Sequence, residues 1–159
     1  MRYIDYVDIL PIPEKLLATK EYILDVYKNQ RINYPGINNN YFYSLTVPND
    51  LKNWCHDNLS FDIASIRYQY IPGNLPIHKD IDNRIIAFNY NIEIGGDSVF
   101  TSIYDEDKTT LLHRCSISNK KWHFIKTGFF HDVTGVVNGR INLSVSPTHD
   151  EQKRLFKLY

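Results

Sequence analysis

Several residue types are scarce in this chain, and each shortage excludes something. There are two cysteines, Cys55 and Cys115, too few for a disulfide framework. A reduced, intracellular (cytoplasmic) setting is the simplest expectation. Net charge is absent: 18 Lys and Arg balance 18 Asp and Glu. A polyanion is therefore not attracted over long range, and a nucleic-acid partner is not expected. No apolar run approaches the roughly 20 residues that span a bilayer, so no membrane partner is expected. The first ten residues carry Arg2, Asp5 and Asp8 and lack the apolar stretch of a signal peptide. Alanine occurs only three times, against 19 Ile, 15 Asn and 12 Tyr. That bias follows AT-rich codons and points to an AT-rich source, such as a virus or an AT-rich bacterium.

What is present suits a packed domain. Apolar residues make up 43% of the 159, which excludes a disordered chain. The length is that of one domain, expected to run over 1–159. Residues 1–60 read as flanking strands and helices. Arg2 to Leu10 is a candidate strand. Pro13 can open a helix near 14–28, with Leu16, Leu17, Ile23, Leu24 and Tyr27 at helical spacing. Tyr34 to Asn40 is a loop by its Pro, Gly and Asn content. Tyr41 to Val47 reads as a strand, and Asp50 can cap a short helix over Leu51, Trp54, Cys55 and Leu59.

Residues 61–146 read as almost entirely β. Eight runs follow one another: Phe61–Ile71, Ile77–Ile81, Ile85–Ile94, Ser98–Tyr104, Thr109–Ile117, Lys121–Thr127, Phe129–Val133 and Arg140–Ser146. Turn signals such as Pro72-Gly73-Asn74, Gly95-Gly96-Asp97 and Asn138-Gly139 separate them. Short strands at this spacing predict two antiparallel sheets, a sandwich or jelly roll, with helices covering an outer face. Residues 147–159 read as a polar C-terminal tail, its His149-Asp150-Glu151 a solvated surface.

The chemistry-bearing residues begin with His78-Lys79-Asp80. On a strand, residues two apart share a face, so His78 and Asp80 can aim at one point. That supplies one imidazole and one carboxylate, two thirds of a facial iron site. With six His and 13 Asp, a chance His-x-Asp is about an even bet, so the pair means little alone. Its context sharpens it. Tyr70-Ile-Pro-Gly73 precedes it, Phe130-His131-Asp132-Val133 follows, and Arg140 stands nine residues after His131. The last run splits into an apolar face (Ile141, Leu143, Val145) and a polar one (Arg140, Asn142, Ser144, Ser146). A polar face ordinarily meets solvent; the His131–Arg140 spacing favours an inward one. His123 reads as packed in its sheet, His56 and His113 as surface, and Arg67 and Arg84 as ion-pair partners. Arg84 is a lesser candidate for holding a substrate carboxylate.

In order and spacing, these motifs resemble the Fe(II)/2-oxoglutarate-dependent oxygenases. The closest branches are the prolyl-hydroxylase-like and aspartyl/asparaginyl-hydroxylase-like ones. The resemblance covers about residues 61–146. It implies a mainly β fold with flanking helices, the double-stranded β-helix or cupin-like jelly roll. It implies catalytic iron ligands His78, Asp80 and His131. It implies that Arg140 pairs with the distal carboxylate of 2-oxoglutarate, with Tyr70 (or its neighbour Tyr68) and Asn142 in support. Asn142 departs from the Ser that many members place two residues after the Arg. The activity implied is hydroxylation of a small-molecule or peptide substrate, with release of succinate and carbon dioxide. A short chain leaves the site in an open groove or completed by a second subunit of a homo-oligomer. The alternatives are a catalytically silent jelly roll with a binding or structural role, and a cupin-like metalloenzyme that uses no 2-oxoglutarate.

Overall fold

Alternation of side chains along ten short strands sets the architecture of this chain, described from a computed structural model over residues 1–33, 42–80 and 83–159. In chain order the strands are β1 (Ile4–Tyr6), β2 (Tyr43–Thr46), β3 (Ile63–Ile71), β4 (Leu75–His78), β5 (Ala87–Glu93), β6 (Phe100–Tyr104), β7 (Leu111–Cys115), β8 (Trp122–Ile125), β9 (Phe130–Thr134) and β10 (Arg140–Pro147). The helices are α1 (Lys20–Asn33), α2 (Asn49–Asn58) and α3 (His149–Leu158). The fold is mainly β. One antiparallel sheet has six strands in the order β1-β8-β5-β10-β3-β2, and a second has four, β4-β9-β6-β7. Each of the eight β runs read between residues 61 and 146 contains a strand, but the run read at Ile77–Ile81 is a strand at Leu75–His78, so Asp80 lies beyond its end and does not share a strand face with His78. The loop expected at 34–40 lies outside the described residues, as do Tyr41 and Ile81 at the ends of two runs.

The six-stranded sheet has two unlike faces. Ile66, Tyr68 and Tyr70 of β3, Phe88 and Tyr90 of β5, Trp122 and Phe124 of β8, and Ile141, Leu143 and Val145 of β10 form one apolar face. Ile23 of α1, Leu51 and Cys55 of α2 and Leu155 of α3 bury against it. Each such side chain contributes about 1.5–3 kcal/mol on burial, so this is the principal core. The opposite face carries Arg140, Asn142, Ser144, Asn89 and His123 and looks toward the four-stranded sheet. A smaller apolar cluster, including Ile4, Ile103, Ile117 and Ile125, closes one end of the space between the sheets.

Four local expectations are corrected. Only Ile4–Tyr6 of the N-terminal run is a strand. Pro13 opens a single 3-10 turn, Glu14–Leu16, because Leu17 is extended (ψ 139°) and ends it. The helix starts later, where the Tyr22 N–H donates to Thr19 Oγ1, a side-chain cap. Asp50 sits in the first turn of α2, behind Pro48. The C-terminal segment is a helix. Leu155 docks on the core, while the buried Gln152 accepts from the Ile85 N–H and donates to the Pro147 carbonyl. Among the described residues, no helix is long and apolar enough to cross a membrane.

Candidate metal centre and anion-binding cavity

The polar face of β10 lines a cavity of about 440 Å³ between the two sheets. The inward reading of Arg140-x-Asn142-x-Ser144-x-Ser146 therefore describes the molecule. The apolar alternate residues face the helices, and the strand's period of two sends the polar ones inside.

His78 ends β4 and His131 lies in β9, directly opposite one another in the register. Their rings sit 4.2 Å apart, centre to centre. Asp80 follows two residues later, its N–H donating to the Thr127 carbonyl. Asp80 Oδ1 lies 3.7 Å from His78 Nε2 and 3.6 Å from His131 Nε2. One ligand atom from each of the three residues falls within 4.8 Å of the others. A divalent ion holds such atoms at about 2.0–2.2 Å, so shifts of about an ångström would close the set on one ion.

The surroundings prepare these groups for ligation. His78 Nδ1 lies 2.8 Å from the Pro76 carbonyl, and His131 Nδ1 lies 2.9 Å from the Phe129 carbonyl. A carbonyl only accepts, so each Nδ1 carries the hydrogen and each Nε2 turns a lone pair toward Asp80. Burial, with the His78 ring beside it, pushes the His131 pKa down to about 4. His131 is thus neutral at physiological pH, the form that binds a metal. The other Asp80 oxygen, Oδ2, accepts from Arg84 Nη1 at 3.1 Å. Arg84 Nη2 in turn donates to Ser144 Oγ at 2.6 Å. Arg84 is an ion-pair partner, and both its terminal nitrogens are engaged. Two imidazoles and one carboxylate at neighbouring strand ends form a set that could hold a metal ion.

Arg140 opens β10 immediately after a turn in which Gly139 has φ +75°, the left-handed region that favours glycine. A Cβ at 139 would come within 2.5 Å of the Tyr70 ring. The guanidinium is buried, with 5% of the residue exposed. It donates from Nη1 to Thr101 Oγ1 (3.1 Å) and from Nη2 to Asn91 Oδ1 (3.2 Å). Its Nε has no partner, and no carboxylate pairs with it among the described residues. Burial lowers its pKa to about 10, so it is a cation at neutral pH. Thr101 pairs across the sheet with Val133, which shares a strand face with His131 about 7 Å away. Asn142 donates from Nδ2 to Gln69 Oε1 at 3.2 Å and leaves its buried Oδ1 unpartnered. His78, Asp80, His131, Arg140 and Asn142 thus line one cavity.

Tyr70 does not join them, and its supporting role is corrected. In the β3–β10 register Tyr70 stands opposite Ile141, while Arg140 stands opposite Ile71. Directly opposed residues share a face. Tyr70 is therefore on the helix side, 4.7 Å from the Tyr27 ring and packed against Gly139. Tyr68 shares that side, its hydroxyl accepting from the Ala18 N–H. Neither tyrosine reaches the cavity. The residues of β3 that do are Ala64, Ser65, Arg67, Gln69 and Ile71. The sequence reading missed Arg67, Gln69, Asn89 and His123 as cavity residues. The alternation Ser65-x-Arg67-x-Gln69 against Ile66-x-Tyr68-x-Tyr70 was the signal that could have found two of them. His123 is buried in β8, as expected of a packed residue, but it lines the cavity. Burial and the Arg140 cation push its pKa down to about 3.

No family model matches the sequence, and no curated protein does. Among solved structures 49 chains match. One is the crystal structure of AviO1 from Streptomyces viridochromogenes Tue57, with a TM-score of 0.50 and 9% identity, over 92% of this chain and 90% of that one. At that identity the likeness concerns the fold alone: the chain shares its mainly β architecture over nearly its whole length.

Proposed function

We propose that this chain is an Fe(II)- and 2-oxoglutarate-dependent dioxygenase on a double-stranded β-helix, hydroxylating a small-molecule or peptide substrate. The observation that carries this reading is the sharing of one cavity by a two-His, one-carboxylate set and a buried guanidinium with no carboxylate partner among the described residues. An unpaired buried cation costs several kcal/mol, and an anionic ligand gives a physical reason to keep it. A metalloenzyme without the cosubstrate, or a silent jelly roll, leaves Arg140 unexplained.

Fe(II) with 2-oxoglutarate supplies oxygen activation coupled to decarboxylation, which yields succinate, carbon dioxide and a hydroxylated product. The protein's part follows from its own groups. His78, Asp80 and His131 would hold the metal from one side and leave the rest of its surface to the cavity. Arg84 ties up one Asp80 oxygen and so favours ligation through the other. Arg140 would clamp the distal carboxylate, its planar fork matching a carboxylate oxygen for oxygen. As oriented, Asn142 offers an acceptor; turning its amide over would offer a donor to the same carboxylate. Ile71, Leu75, Ile125 and Val133 supply apolar walls that limit water.

Calorimetry tests the pairing of metal and cosubstrate. 2-Oxoglutarate should bind protein loaded with Zn(II), a redox-inert stand-in, far more tightly than metal-free protein. Equal affinity in both states would remove the metal from cosubstrate binding and sink the reading.

A further inference from the structure

Among the described residues, the cavity carries more positive charge than metal and cosubstrate account for. Among the described residues lining it are three guanidinium groups, Arg67, Arg84 and Arg140, and one carboxylate, Asp80. Arg84 neutralises Asp80. On the reading above, a divalent ion and dianionic 2-oxoglutarate cancel one another, and one surplus cation remains beyond Arg140. Among the described residues, the Arg67 side chain makes no hydrogen bond or ion pair, although the protein as a whole has no net charge.

Its position is specific. Arg67 is exposed at the open side of the cavity and stands directly opposite Ser144 of β10 and Thr46 of β2. Ser144 stands opposite Asn89 in turn. Ser144 Oγ accepts from Arg84, and Arg84 holds the metal-ligand candidate Asp80. A polar row thus runs from Arg67 toward the metal set. Along it the buried Oδ1 of Asn89 has no partner. An unsatisfied acceptor calls for a hydroxyl or amine donor, as an unpaired guanidinium calls for an anion.

We infer that Arg67 is the anion subsite for the substrate, and that the substrate is a small hydroxylated compound with a phosphate or carboxylate at one end. The charged end docks on Arg67 at the mouth, hydroxyls meet Asn89 and its neighbours, and the middle of the molecule crosses the metal. This rests on the metal and cosubstrate reading above.

The test uses full-length protein loaded with Mn(II) and saturated with 2-oxoglutarate, protein in excess over metal. Paramagnetic broadening of proton NMR lines is read for three probes: glycerol 1-phosphate, glycerate and glycerol. One or both anions should broaden and glycerol should not; which anion responds distinguishes phosphate from carboxylate. Arg67→Gln should weaken the effect about tenfold, the loss expected for one partly exposed charge-assisted pair, and Arg67→Lys should fall between. His131→Ala supplies the blank for Mn(II) outside the site. Broadening by neither anion, equal broadening by glycerol, or broadening unchanged in Arg67→Gln would overturn the subsite. Affinities for Mn(II) and 2-oxoglutarate, measured on the same samples, show separately whether the underlying reading has failed.

Discussion

Replacing His131 with Ala should weaken Fe(II) binding by more than about a hundredfold. Loss of an outer partner of a metal ligand costs about 10–100-fold, and loss of the ligand costs more. His131 presents Nε2 to Asp80 from a ring fixed by the Phe129 carbonyl, and water cannot reproduce that placement. The substitution enlarges an existing cavity and removes no group from the helix-side core, so the fold should persist by circular dichroism. His123→Ala is the control: it removes another buried imidazole of the same cavity that is outside the ligand set. Fe(II) affinity should survive that change. If the two variants bound Fe(II) equally well, His131 would not be a ligand.

The second large effect concerns Arg140. Arg140→Ala should weaken 2-oxoglutarate binding on the order of a hundredfold, about 2.7 kcal/mol, with metal affinity almost unchanged. Arg140→Lys should recover part of the loss, since it keeps the charge and loses the fork. Stability should respond with the opposite sign. The apo protein buries a cation whose Nε is unsatisfied and which no carboxylate pairs among the described residues. Arg140→Met keeps much of the volume, removes that charge and should raise the thermal midpoint of the apo protein. A residue kept for structure would lower it. Calorimetry of 2-oxoglutarate on Zn(II)-loaded protein, together with a thermal melt of the apo form, reads both. Wild-type affinity in Arg140→Ala would exclude it as the anchor.

The strands and most of the site were legible in the sequence because both are written in local patterns. Turn residues bracket every strand from β3 to β10. The alternation Arg140-x-Asn142-x-Ser144 carries its own phase, and the His131–Arg140 spacing, not the strand alone, pointed its polar face inward. Order and spacing, read through the family resemblance, singled out His78, Asp80 and His131, which the fold brings together. Tyr70 was misplaced because its facing depends on which residue of β10 it opposes, and that register is a property of the folded sheet. Arg67, Asn89 and His123 were missed for the same reason: each looks ordinary on its own strand and gains a role only across strands. The helix errors have local causes. Pro13 is an equally good start for a 3-10 turn, while the side-chain cap stands at Thr19. The charged start of the last segment hid an amphipathic helix whose buried residues, Gln152 and Leu155, are three apart.

The central claim is that one cavity holds Fe(II) and 2-oxoglutarate together, and anaerobic optical titration tests it most directly. Fe(II) is added to the protein with and without 2-oxoglutarate while visible absorption is followed. A metal-to-ligand charge-transfer band should grow to one equivalent of Fe(II) only when 2-oxoglutarate is present, and it should be absent in His131→Ala. Tight Fe(II) binding with no band at saturating 2-oxoglutarate would contradict the account and leave a metal-binding protein that does not chelate this cosubstrate.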